Sequence, residues 1–375
     1  MNGNLRVGSL FGIPFFINLS WFFVLALVTL NFGNGLAARF PSLGGSALLL
    51  GLGAGLLLFA SVLMHELGHS FAAQQRGIKV NSITLFLFGG LASLEEEAKT
   101  PGGAFWIAVA GPLVSLGLFL LLSLLAFSGW VSGPPAAIVG LLAYINLVLA
   151  AFNMIPGLPL DGGNVLKAAV WKATGNRFRG IRWASRLGQI IGWIAIGLGL
   201  LSILGISNLG SVWSLIIGWF LLQNAGQSAQ SASIQEALAG LTAADAVCEQ
   251  SPIVEAQCTL RDLADRAVLT REKQQWQRFL VEDEFHRFIG TVDLSVLQTL
   301  PAQQWADYRV QDFLKPMDQK NQVRSDRSLL EVASQLEQQG SQALAVIRDN
   351  GTLVGLLEKS AIVRLLQQRQ QSQPA

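Results

Sequence analysis

Met64-His65-Glu66-Leu67-Gly68-His69 closes an apolar run that opens at Ser46 and reads Ala47-Leu48-Leu49-Leu50-Gly51-Leu52-Gly53-Ala54-Gly55-Leu56-Leu57-Leu58-Phe59-Ala60-Ser61-Val62-Leu63. No charge interrupts it before Glu66. A helix rising 1.5 Å per residue needs about 20 apolar residues to cross the hydrocarbon of a bilayer. This run therefore reads as a membrane span that carries two imidazoles and a carboxylate at one end. Ionisable groups at that depth are expensive and are usually kept for function. On a helix, His65 and His69 stand four residues apart on one face. Both can reach one zinc ion at about 2 Å, and Glu66, turned by about 100°, is close enough to hold and deprotonate a water. The remaining histidine, His286, lies beside Glu284 and Arg287 and reads as a surface residue.

The composition of the whole chain agrees with a membrane reading. Its 375 residues are 51% hydrophobic and 13% charged, against about 25% charged in soluble domains. A disordered chain is excluded, and the net charge of +2 gives no reason to expect nucleic acid as a partner. The charges are unevenly spread. Residues 1–230 hold eleven Lys/Arg and five Asp/Glu, and residues 231–375 hold fifteen and nineteen. An apolar, mildly basic domain is thus followed by a polar, mildly acidic one. The only cysteines, Cys248 and Cys258, lie in the second part, so no disulfide framework is expected.

Six stretches reach or approach spanning length: Ile13–Phe32, Ser46–Gln75, Gly103–Ser128, Ala136–Ile155, Ser185–Ile206 and Leu209–Asn224. With the N-terminus in the cytoplasm, ten Lys/Arg fall inside and only Arg39 outside, as the positive-inside rule requires. An even number of spans then leaves the polar C-terminal part in the cytoplasm. The first stretch, ending in Gly35-Leu36-Ala37-Ala38, also fits a cleaved signal peptide. Between the second and third stretches, Lys79–Glu97 has strand character on both sides of Gly89-Gly90, which predicts a β-hairpin at the cytoplasmic membrane surface. Such a hairpin offers an edge to an extended peptide, with Thr84, Leu85, Phe86, Leu87, Phe88, Gly89 and Gly90 as the expected substrate contacts.

A zinc site of this kind needs a third protein ligand. Asp161 is the only acidic residue between Glu97 and Glu236. It sits in Asn153-Met154-Ile155-Pro156-Gly157-Leu158-Pro159-Leu160-Asp161-Gly162-Gly163, where two prolines and three glycines break the helix. Irregular backbone at membrane depth persists only where protein buries it or where it lines a wet cavity. Beyond a Gln- and Ser-rich linker at 225–241, a weak repeat covers 242–300 and 301–375. Each copy has an amphipathic helix followed by two strands: Phe279–Glu282 and Phe288–Val292, then Ala343–Ile347 and Leu353–Leu357.

His65-Glu66-Leu67-Gly68-His69, Gly89-Gly90-Leu91-Ala92, Ala110-Gly111-Pro112 and Asn146 through Gly163 together resemble the site-2 protease family of intramembrane zinc metalloproteases, in particular its six-span subgroup with a C-terminal pair of CBS repeats. The resemblance implies a polytopic α-helical membrane protein of about six helices with a membrane-surface β-hairpin, in domain 1–224, plus a cytoplasmic α/β CBS-pair domain. It implies His65, His69 and Asp161 as ligands of one Zn2+ and Glu66 as catalytic base. Asn153 is implied as a helper of the tetrahedral intermediate, with Asn146 a weaker match. The partners implied are single-span membrane protein substrates and the lipid bilayer, with a homodimer through the CBS pair. Nucleotide-binding repeats carry a hydroxyl and a terminal Asp after their glycine. Here Gly290-Thr291-Val292-Asp293-Leu294-Ser295-Val296 and Gly355-Leu356-Leu357-Glu358-Lys359-Ser360-Ala361 place an acid at the first position and lack the second. An acid there repels phosphate, so ordinary ATP binding is not expected. Two rival readings are a CBS-regulated transporter or channel and a catalytically inactive membrane scaffold. The first would spread its ligands over several depths and the second would lack a ligand or the base.

Overall fold

The computed structural model describes residues 4–372 except 88, 249, 272–275 and 317. The chain forms two compact units, Met1–Ala232 and Ser233–Ala375.

The first unit opens with β1 (Asn4–Leu10) and β2 (Ile13–Asn18), joined at Phe11-Gly12, and continues into α1 (Leu19–Arg39). Here the structure corrects the expected first span. The apolar stretch from Ile13 is strand as far as Asn18, because β2 pairs antiparallel with β1 and parallel with a later strand. The helix starts only where the Asn18 side chain accepts from the Ser20 amide at 3.0 Å, which satisfies one of the free amides of its first turn. Then follow α2 (Ser46–Gln74), β3 (Val80–Phe86), β4 (Gly89–Leu94), α3 (Pro101–Phe127), α4 (Gly133–Asn153), α5 (Asp161–Thr174), α6 (Arg177–Ile203) and α7 (Val212–Leu238). Among the described residues, α1, α2, α3, α4 and α6 are long and apolar enough to cross a membrane. The sixth expected stretch, Leu209–Asn224, begins α7 but does not supply a run of that length, because the helix turns polar beyond it. The segment read as a linker, 225–241, is helical as far as Leu238.

The expected hairpin is present as β3 and β4, with Thr84 opposite Leu91 and Leu85 opposite Gly90. It is half of a four-stranded sheet ordered β1-β2-β3-β4. This overturns the expectation that the Thr84–Phe88 stretch offers a free edge. β3 is hydrogen-bonded on both sides, and the open edges belong to β1 and β4. Sequence periodicity finds a strand but not its neighbours, and the covering strand β2 was hidden in an apolar run.

The break between α4 and α5 lies against α6. The Leu158 amide donates to the Ala184 carbonyl at 3.1 Å, and Leu158 packs with Ile181 and Ala184. Turn bonds from Leu160 and Gly157 satisfy further backbone groups, as irregular backbone at this depth requires. Asp161 emerges from this break as the first residue of α5.

The second unit holds two copies of one pattern. The first has β5 (Ile253–Glu255), α8 (Leu260–Arg271), β6 (Arg278–Glu282), β7 (Phe288–Asp293) and a short α9 (Val296–Thr299). The second has β8 (Gln322–Arg324), α10 (Leu329–Gln339), β9 (Ala343–Ile347), β10 (Leu353–Glu358) and α11 (Lys359–Ser372). Each makes a three-stranded sheet with one parallel and one antiparallel pair. The copies meet through Leu280, Ala345, Leu353 and Leu356.

Candidate metal centre

α2 carries His65 and His69 one turn apart, both buried. The Nε2 atoms of the two rings lie 3.2 Å apart. Asp161, brought from the start of α5, places Oδ2 at 3.2 Å from His65 Nε2 and 3.3 Å from His69 Nε2. A tetrahedral zinc with bonds of about 2.0–2.1 Å separates its ligand atoms by about 3.3–3.4 Å. The three atoms therefore already stand at the spacing of a zinc face.

The far sides of the rings support the same reading. His69 Nδ1 is 2.6 Å from the Ile107 carbonyl oxygen. That oxygen can only accept, so Nδ1 carries the proton and Nε2 presents a lone pair to the centre. His65 Nδ1 is 2.9 Å from Ser115 Oγ, and Ser115 is fully buried. Two ring nitrogens and a carboxylate oxygen converge at one point, which is a donor set suited to a cation. Among the described residues, this is the group of His, Cys, Asp or Glu side chains that could hold a metal.

Two glycines allow other elements to close on the centre. A Cβ on Gly111 of α3 would stand 2.2 Å from His69 Nε2 and 2.7 Å from His65 Nε2. A Cβ on Gly90 of β4 would stand 2.4 Å from Glu66 Cγ. Only hydrogen fits at either position. Glu66 itself is buried. A cavity of about 570 Å³ joins these parts, with His65, Glu66, His69 and Asp161 on its wall.

The structure sorts the remaining expected site residues. Asn153 lines the cavity, and its side chain makes no hydrogen bond to the described residues. Asn146 does not line it. It is fully buried and donates to Ser61 Oγ at 3.2 Å, tying α4 to α2. Phe86, Gly89 and Gly90 line the cavity. Thr84, Leu85 and Leu87 do not line it. Leu85 is core beside Trp21 and Phe59, and the Leu87 amide is taken by Ser20 Oγ at 3.1 Å. Phe88 lies outside the described residues. Sequence reasoning missed Ser115, Ile107, Leu91 and Ala92. Only Gly89-Gly90-Leu91-Ala92 and Ala110-Gly111-Pro112 hinted at the elements that carry them. His286 is an exposed turn residue paired with Glu282 at 3.0 Å.

In the second unit a cavity of about 930 Å³ is lined by Trp276, Arg278, Asp293 and Glu358 among others. Asp293 is already engaged there, 2.7 Å from both Arg278 and Lys315. Lys315 and Arg278 hold its carboxyl below the usual carboxylate range.

Comparison with known proteins gives a consistent result. Residues 54–133 and 130–196 match Peptidase family M50. The chain is 51% identical over 368 residues to a protein named as a zinc metalloprotease in Synechocystis sp., covering 98% of this chain and 96% of that one. It is 32% identical over 382 residues to Rip3 of Mycobacterium tuberculosis, also named as a zinc metalloprotease, covering 100% of this chain and 95% of that one. Among solved structures, a site-2 protease from Methanocaldococcus jannaschii is similar at 28% identity and a TM-score of 0.43, over 60% of this chain and 95% of the solved one. The chain belongs to peptidase family M50, the site-2 proteases, and is an intramembrane zinc metalloprotease.

Proposed function

We propose that His65, His69 and Asp161 hold the single zinc ion of this protease, and that Glu66 moves the proton in hydrolysis of a peptide bond. The convergence of three lone-pair atoms at 3.2–3.3 Å, with Glu66 on the wall of the same cavity, carries this reading. When bound, zinc acts as a Lewis acid that polarises a carbonyl and brings the pKa of water to about 7. Glu66 takes the proton from the attacking water and returns it to the leaving nitrogen, so that an amine departs. The tight packing of Gly90 against Glu66 Cγ holds the side chain in place for both transfers. The Asn153 carboxamide, free of partners among the described residues, donates to the oxyanion as it develops. His69 keeps its Nδ1 proton on the Ile107 carbonyl throughout, and so stays in the tautomer that binds metal.

The substrates in this reading are single-span membrane proteins. A helix shields its own peptide bonds, so the substrate must unwind locally and present an extended segment. The open edge of β4, which lines the cavity from Gly89 to Ala92 beside Glu66, suits backbone pairing with such a segment. Such bonds are largely blind to side chains, so they tolerate many sequences. The charge bias of ten inside to one outside, with α7 counted as a sixth crossing, supports both termini in the cytoplasm. For the second unit we favour dimerisation over ordinary ATP binding, because Asp293 and Glu358 stand where nucleotide-binding repeats carry a hydroxyl.

The test is a Glu66→Gln chain at the native locus, followed by membrane proteomics. Uncleaved single-span proteins should accumulate, and the purified variant should keep one zinc. Full turnover by that variant would refute the role of Glu66.

A further inference from the structure

The face of α5 that begins with Asp161 stays on the cavity. Asn164, Lys167 and Trp171 follow at steps of three and four residues, and all line it with Asp161. One helix wall thus runs outward from the metal centre. Lys167 lies about 9 Å along the axis from Asp161. An extended peptide advances about 3.3 Å per residue. A chain bound along this wall therefore meets Lys167 about three residues from the bond at the centre.

Lys167 is held in place but only loosely paired. A Cβ on Gly180 of α6 would stand 2.4 Å from the Lys167 carbonyl oxygen, so the backbones pack tightly there. The Lys167 ammonium lies 3.9 Å from Glu97 Oε2, at the limit of an ion pair. The Lys167 side chain is 18% exposed and that of Glu97 54%. A pair so open to water on its acidic side is weak.

We infer that Lys167 is a specificity determinant, taking an Asp or Glu side chain of the substrate about three residues from the scissile bond, with Glu97 occupying its ammonium until the substrate arrives. The inference rests on the reading of His65, His69, Asp161 and Glu66 as the hydrolytic centre. An incoming carboxylate on a desolvated peptide exchanges for the exposed Glu97, and a substrate lysine at that register is repelled.

The experiment uses the full chain, zinc-loaded, in phosphatidylcholine vesicles. Single-span peptides carry one Glu, Gln or Lys walked through successive positions of an otherwise uncharged span. Binding is measured with the Glu66→Gln variant, and cleavage with Glu66 intact. At one register the Glu peptide should bind about tenfold tighter than the Gln peptide, and the Lys peptide more weakly than either. Lys167→Glu should invert this order and Lys167→Met should level it, each compared at equal zinc content. Glu97→Gln should sharpen the preference for Glu. An order unchanged in both Lys167 variants, or no charge dependence at any register, overturns the inference. Binding that follows added phosphatidylglycerol rather than peptide charge also overturns it and gives Lys167 to lipid headgroups. Failure to cleave any bound peptide would instead fell the protease reading, and the binding order would still judge Lys167.

Discussion

Gly90→Ala is the sharpest test of how the base is held. The added methyl carbon would stand 2.4 Å from Glu66 Cγ, 2.8 Å from Cδ and 2.9 Å from Oε1. Ordinary contact begins at 3.4 Å, so the carboxylate or the strand must withdraw by about 1 Å. The nearest atom is Cγ, close to the helix backbone, where rotation of the side chain gives little relief. A displacement of about 1 Å at a reacting group costs about 10²-fold in rate. The three atoms nearest the added methyl all belong to Glu66, so metal content should be unaffected. Purified Gly90→Ala protein, assayed on a single-span substrate in vesicles, should therefore lose about 10²-fold in kcat while metal analysis still finds one zinc per chain. A kcat within twofold of the unsubstituted protein would refute the claim that the sheet sets the position of Glu66. Loss of zinc together with activity would refute the claim that β4 acts on the base rather than on the metal ligands.

Three further outcomes follow from other contacts. Gly111→Ala should abolish zinc retention, since its Cβ would stand 2.2 Å from His69 Nε2; metal analysis after gel filtration reads this directly. Ser115→Ala removes the partner of His65 Nδ1 and should weaken zinc affinity about 10–100-fold, measured by competition with a chromogenic chelator. In the second unit, Lys315 and Arg278 lower the Asp293 pKa. Its stabilising contribution is therefore complete above the unfolded carboxylate pKa of about 3.9 and is lost as pH falls below it. Asp293→Asn should reduce Tm at pH 7 and have less effect at pH 3, by thermal unfolding of the full chain.

Much of the centre was legible because its parts are local. His65 and His69 share a face through helical periodicity, which depends only on neighbours in the chain. Asp161 stood out because acids are scarce in the apolar part and because prolines and glycines surround it. The repeat in the second unit was visible through its longer strands. The short β5 and β8 escaped notice, since three residues carry no period.

The limit was reached wherever two readings share the same local pattern. Asn146 and Asn153 lie seven residues apart, two turns on one side of α4, and either could have faced the site. The tertiary structure gives Asn146 to Ser61 and leaves Asn153 on the cavity. Ile13–Asn18 is apolar enough to begin a span, yet it is strand because β1 and β3 are there to pair with it. The same pairing covers β3 and leaves β4 as the edge beside Glu66.

By itself, then, the amino-acid sequence determined most of the apolar helices, the shared face of His65 and His69, and Asp161 as the candidate third ligand, through hydropathy, helical spacing and the scarcity of acids in the apolar part. Only the tertiary structure decided which strand lies at the sheet edge, which asparagine lines the cavity and which helix face leads away from the metal centre, because those depend on partners far apart in sequence. Asp161 meets His65 across 96 residues, and no local period encodes such a distance.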